Sequence, residues 1–238
     1  MDRSKSVVTP ARFQSGMTFA QYLAYVGTPE NLKREGTGGS QRPDNSAVMR
    51  EWYEGSRLTE TQTAAWKWLA SQPGGPAKIL VLSEDWSSDC RRDVPMLARV
   101  AEATGMALRI FNRDGQRFGK TADPLTEPEP SPNADIMAEF MNEKGGKTYQ
   151  SIPVVVFYDE SLNYLYHYIE LPAIYHKDRV VTERIRAPRP GETPPQTAER
   201  AGKEFAAFQT APFFRMWAGA GIDEMASALH ERLVMGSL

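Results

Sequence analysis

The residues best able to do chemistry lie in one short run, Glu84-Asp85-Trp86-Ser87-Ser88-Asp89-Cys90. Cys90 is the single cysteine of the 238-residue chain. That count excludes an intramolecular disulfide. It also excludes a cysteine-based zinc site, which needs at least two thiolates. A disulfide between two chains stays open. Ser87 stands three residues before Cys90, about one helical turn. Its hydroxyl cannot form a disulfide, and no histidine is adjacent in sequence to activate it as a nucleophile. His167, His176 and His230 have neither a carboxylate nor a histidine at i+4, so no metal pattern is completed and no cofactor is expected. Gly145-Gly146-Lys147-Thr148 resembles the end of a phosphate-binding loop, but Met141 replaces the required first glycine. The segment also follows a helical pattern rather than a strand. It is expected to be a helix C-cap and loop.

The elements that must position these residues follow from periodicity. Lys78-Ile79-Leu80-Val81-Leu82 is a short apolar run, predicting a strand buried on both faces. Residues 88–103 place Val94, Leu97, Ala98 and Ala101 on one helical face, and Gly105 ends that helix. Ala107-Leu108-Arg109-Ile110-Phe111 is a second strand, completing a βαβ unit. Residues 112–134, rich in Gly, Pro and charge, are expected as an exposed loop stiffened by polyproline II conformation. A helix is predicted over 134–143. Two strands follow, Ile152–Tyr158 and Tyr164–Ile169, joined closely enough for a hairpin.

Residues 1–16 read as a loose tail, and the rest of the first 75 residues as a helical extension. Within it, Thr18 caps a helix, Asn45 or Ser46 caps another, and Thr59 opens a third. The stripe of that third helix is Ala64, Ala65, Trp68 and Leu69, widened by Trp66. Pro172 begins a helical segment to about 186, and prolines 188–195 form a linker. The last segment, 196–235, is helical with breaks near Pro212 and Gly219-Ala220-Gly221. The expected divisions are thus 1–75, 76–186 and 187–238. Tyr164, Tyr166 and Tyr168 alternate and predict one tyrosine-rich strand face. Phe205, Phe208, Phe213, Phe214, Met216 and Trp217 are expected to pack on the core; an exposed cluster would instead suggest dimerisation.

Bulk properties are ordinary. Hydrophobic residues make up 41% and charged residues 24%, and the formal net charge is −2. No nucleic-acid partner or anionic membrane is indicated. No apolar stretch approaches 18 residues and no leader is visible at the N-terminus, so a cytoplasmic location is expected.

Strand, Trp-x-x-x-Cys at a helix start, strand, helix, Ile-Pro-strand, strand, helix is an order that resembles the thioredoxin superfamily. More narrowly, it resembles bacterial thioredoxin family proteins with a Glu-Asp-Trp-Cys-x-Asp-Cys-type motif. Trp86 precedes the first motif position, Pro95 lies where the family's active-site helix is kinked, and Ile152-Pro153 sits where the family has a cis-proline. The likeness spans about 95 residues and implies a three-layer α/β/α fold with a central mixed sheet.

By that resemblance Cys90 and Ser87 occupy the two catalytic positions, while Trp86, Asp89, Ile152 and Pro153 shape the substrate site. The family's dithiol cycle uses a first thiol acidified at the helix N-terminus and a second that resolves the mixed disulfide. With Ser87 in the first position that cycle cannot run within one chain. Asp89 beside Cys90 opposes thiolate formation. Val81 replaces the family's buried acid.

Several readings stay open. Cys90 can act as a monothiol toward glutathione or a protein thiol or disulfide. It can be a relic that packs as a small hydrophobe. Ser87 can stand where a cysteine was replaced. A non-redox module binding a peptide or small ligand beside Pro153 is the alternative of another class. A transferase in which Ser87 activates glutathione ranks last. Arg91, Arg92 and Asp93 are expected on a solvated helix face. The oligomeric state is not legible.

Overall fold

The computed structural model describes residues 6–172 and 182–235. Its centre is a four-stranded mixed sheet built from β1 (Lys78–Ser83), β2 (Ala107–Asn112), β5 (Val154–Tyr158) and β6 (Tyr164–Ile169), ordered β2-β1-β5-β6. β1 pairs with β2 in parallel, and both β1–β5 and β5–β6 are antiparallel. The helix α6 (Ser88–Thr104) supplies the crossover that a parallel pair demands. Gly105 ends it in the left-handed region, with φ +80°, where glycine carries no steric penalty.

Side chains leave alternate faces of each strand, and both faces are covered. Ile79, Val81, Ile110, Val155 and Phe157 meet α6, α2 (Phe19–Val26), α4 (Ser46–Gly55), α5 (Glu60–Ser71) and the C-terminal helix α9 (Pro212–His230). Leu80, Leu82, Phe111, Val154 and Val156 meet α1 (Pro10–Gln14) and α7 (Ala134–Glu139). This is the expected three-layer α/β/α arrangement, and the near-continuous apolar runs of β1 and β5 are its sequence signature. The short α3 (Pro29–Leu32) follows α2. Among the described residues, no helix is long and apolar enough to cross a membrane.

Several expectations need correction. The supposed N-terminal tail contains α1, capped by Thr9, and buries Val8 and Phe13 against the sheet. Thr18 and Thr59 do cap α2 and α5, both through capping boxes. Asn45 takes the cap position of α4 but its side chain makes no cap bond, because it donates to Asp85 instead (3.0 Å). On α5 the inner face is Trp66 and Leu69, whereas Trp68 is 45% exposed.

The helix predicted over 134–143 stops at Glu139. The chain then forms a second hairpin, β3 (Asn142–Lys144) with β4 (Lys147–Tyr149). Gly145 and Gly146, with φ of +58° and +72°, form its turn rather than a helix cap. The 112–134 loop is folded back on itself rather than extended. Glu127 accepts from the Lys120 and Thr121 amides, from the Thr121 hydroxyl and from Gln150, and together these close a cavity of about 300 Å³.

The three tyrosines do not share a face. A bulge opposite Phe157 and Tyr158 adds a residue to β6, so Tyr164 packs with the α7 side while Tyr166 and Tyr168 join the α6 side. The C-terminal segment is α8 (Pro194–Gln209) and α9, broken at Pro212 as expected. It is not broken at Gly219-Ala220-Gly221, where α9 runs on because the helix is packed on the core and Gly221 is buried. Phe214 and Trp217 are buried, Phe208 packs against them, and Phe213 and Met216 face outward at 64% and 60% exposure. Residues 182–186 are helical, and the remainder of the segment predicted from Pro172, with His176, lies outside the described residues.

Candidate functional site

The site forms where β1 ends and α6 begins. β1 carries Ser83 into the turn Glu84-Asp85-Trp86, and Ser87 is the N-cap of α6, its Oγ accepting from the Cys90 amide (3.4 Å). Serine suits this position because its hydroxyl satisfies one of the helix's unpaired donors. Opposite this turn, Ser151 and Ile152 lead into β5 through a cis Ile152–Pro153 bond. Between the two rims lies a cleft of about 320 Å³, lined by Trp86, Ser87, Asp89, Ser151, Ile152 and Glu170 among others. Four of the six residues singled out from sequence, Trp86, Ser87, Asp89 and Ile152, therefore line one cleft, with Pro153 buried next to Ile152.

Cys90 is the exception to this use. It is at the site but does not line the cleft, and none of its surface reaches solvent. One turn into α6 the side chain points under the cap and into the main core, with Val81 and Tyr22. Burial pushes the thiol up to about 12. The hydroxyls of Ser83 and Ser87 and the backbone at Glu84 pull the other way without reversing it. Asp89 adds the smallest push, so burial rather than the neighbouring carboxylate is what opposes the thiolate. The arrangement holds a neutral thiol, and the Ser83 hydroxyl beside it is in turn bonded to the Tyr22 hydroxyl (3.0 Å).

Two polar networks that escaped the sequence reading frame the site. In the first, Glu84 and Asp85 are buried and held from the N-terminal region. Arg34 donates to Glu84 (2.6 Å), Arg42 to Glu84 (2.7 Å) and to Asp85, and Asn31 and Asn45 donate to Asp85 (3.1 and 3.0 Å). The Asp114 amide completes Glu84 (2.8 Å). Burial still raises the Glu84 carboxyl, with Asp114 adding to it and the two arginines opposing. The signal available in sequence was the pair of acids directly after a fully buried strand, since such charges must find cations.

The second network corrects the expected solvated face. Arg92 and Asp93 are buried, because α4 and α9 both pack on α6 and leave it little outer surface. Arg92 pairs with Asp93 (2.7 Å) and Asp89 (2.8 Å) and lies over the Phe214 ring, and the Tyr168 hydroxyl donates to Asp93 (3.1 Å). Arg91, half-buried, caps the turn by donating to the Asp85 and Trp86 carbonyls (both 2.9 Å). The Asp89 side chain keeps 22% exposure toward the cleft. Its carboxyl is raised to about 6, chiefly by desolvation, with Asp93 adding and Arg92 opposing.

Among the described residues no group of histidine, cysteine and carboxylate side chains could hold a metal ion. His167 is used structurally, its ring bonded to the Tyr164 hydroxyl (2.5 Å) and set against Phe140.

Residues 38–119 match the family model described as thioredoxin. That stretch of the chain is thioredoxin-like. The thioredoxin match begins well before β1, so it takes in α4 and α5 as well as the β1-α6-β2 unit with its motif. The resemblance read from sequence had begun only near residue 75. Two solved structures are similar in shape, each with a TM-score of 0.49. One is a protein of unknown function from Pseudomonas aeruginosa, 14% identical, covering 93% of this chain and 95% of that one. The other is an HIV epitope scaffold, 15% identical, covering 97% and 100%. No curated protein matches the chain.

Proposed function

We propose that this protein is a non-redox binding module of the thioredoxin fold that holds an extended peptide in the cleft between Trp86–Asp89 and Ser151–Pro153. The observation that carries this reading is that the cleft is lined by Ser87 while Cys90 is sealed beneath it. A thiol without access and with its ionisation suppressed is a poor nucleophile toward any disulfide. The binding surface needs no thiol. The backbone N–H and C=O of Ile152 make no hydrogen bond among the described residues, which leaves a donor and an acceptor at the rim for a strand-like ligand.

The test is a selection of phage-displayed random heptapeptides on the wild-type protein and on Cys90→Ala. Recovery of the same peptides by both, with NMR shifts confined to Trp86, Asp89, Ser151 and Ile152, is the expected result. Insulin or glutathione mixed-disulfide reduction that vanishes in Cys90→Ala would overturn it, as would the absence of any selected peptide.

A further inference from the structure

We infer that Arg113 is the positioning residue that fixes the two rims of the cleft relative to each other. The inference rests on the peptide-binding reading of that cleft. Arg113 follows directly on β2 and is buried. Its guanidinium packs against two rings, 5.1 Å from the centroid of Trp86 and 5.0 Å from that of Phe118, and those rings also touch each other with centroids 5.3 Å apart. From this seat it reaches both rims. Nη1 donates to the Gln150 carbonyl (2.7 Å), which anchors the chain just before Ser151-Ile152-Pro153. Nε donates to Asp114 (2.7 Å), and the other oxygen of Asp114 accepts from the Trp86 indole N–H (3.1 Å). Nη2 donates to the Gly119 carbonyl (3.2 Å), and the Gly119 amide returns to Asp114 (3.0 Å).

One planar group thus ties the motif rim, through Asp114 and Trp86, to the proline rim, through Gln150. Only a guanidinium can do this. Its fork supplies donors in several directions within one plane, and its faces stack on aromatic rings, whereas an ammonium is a point charge that does neither. The same Asp114 meets the N-terminal latch, since Arg34 donates to its carbonyl (2.8 Å) and its amide donates to Glu84.

The experiment compares ¹H–¹⁵N spectra of the ligand-free wild type, Arg113→Lys and Phe118→Leu, with the Trp86 indole assigned through Trp86→Phe. In Arg113→Lys the Trp86 indole and the Gln150–Ile152 amides should move together while the other four indoles hold. Phe118→Leu keeps the charge and removes one wall, so the same resonances should move if Arg113→Lys fails to fold. Affinity for a heptapeptide selected as above should fall at least tenfold in Arg113→Lys. Unmoved Gln150–Ile152 amides in a folded Arg113→Lys, or in Phe118→Leu, would overturn the assignment. Because these resonances are read without ligand, they judge Arg113 separately from whether any peptide binds.

Discussion

At Ser87 and Cys90 the same three-residue spacing serves two different ends. Ser87 does the work of a helix cap, and Cys90 fills a core position one turn deeper. The motif and its place on the fold were legible because Trp86, Cys90, Pro95 and Ile152-Pro153 occur in a fixed order. The state of the thiol was not, because burial depends on what α2 and the C-terminal helices lay over it. Since the cap geometry is retained, Ser87→Cys should form a disulfide with Cys90 on oxidation, detectable by mass, and should show more insulin reductase activity than the wild type. A variant whose two thiols stay free under oxidant would contradict this.

Asp89 gives a pH test with a definite sign. Its carboxyl is raised from 3.8 to about 6 in the folded protein, so the folded state holds the proton more tightly than the unfolded chain. That contribution is complete below about pH 4 and is lost as pH rises to about 6. The unfolding free energy of wild type minus Asp89→Asn should therefore be greater at pH 4 than at pH 7, by at most about 3 kcal/mol. Urea midpoints across this range measure it, and a difference that does not vary with pH would refute the assignment.

At the scale of elements, the region before β1 is more than a decoration on the sheet. Arg34 and Arg42 neutralise Glu84 and Asp85 at the point where the site begins, so the helices of residues 19–55 and the motif turn are a cooperative unit. Replacing Arg42 by Met leaves buried carboxylate without its partner, which costs about 3–5 kcal/mol in comparable buried pairs. Chemical denaturation should show that loss, whereas Arg117→Met, whose partner Glu35 lies at the surface, should change stability by less than about 1 kcal/mol. Equal effects from the two would contradict the latch.

Helix and strand types were readable at this scale where periodicity was long, as in α6 and β1. The misses share a cause, which is that tertiary packing overrode local pattern. Gly219 and Gly221 look like breakers in isolation, yet sit inside a helix that the core holds. Trp66 and Trp68 are interchangeable to a composition rule, and only the position of the sheet chose Trp66. The bulge that turns Tyr164 away from Tyr166 has no local marker.

At the scale of the whole molecule, residues from the expected extension, the sheet and the terminal helices share one hydrophobic cluster, from Tyr22 and Trp66 through Cys90 to Phe214 and Leu229. The thioredoxin-like fold and its layers could be read from the order of elements. The burial of Cys90 could not, because it depends on enclosure of one sulfur by segments far apart in sequence. The most direct test is titration of Cys90 with a chromogenic disulfide reagent at pH 8, in the native protein and again in guanidinium chloride. The account predicts no reaction in the native state over an hour and one equivalent on unfolding. Stoichiometric reaction of the native protein within minutes would show an accessible, ionising thiol and would contradict it.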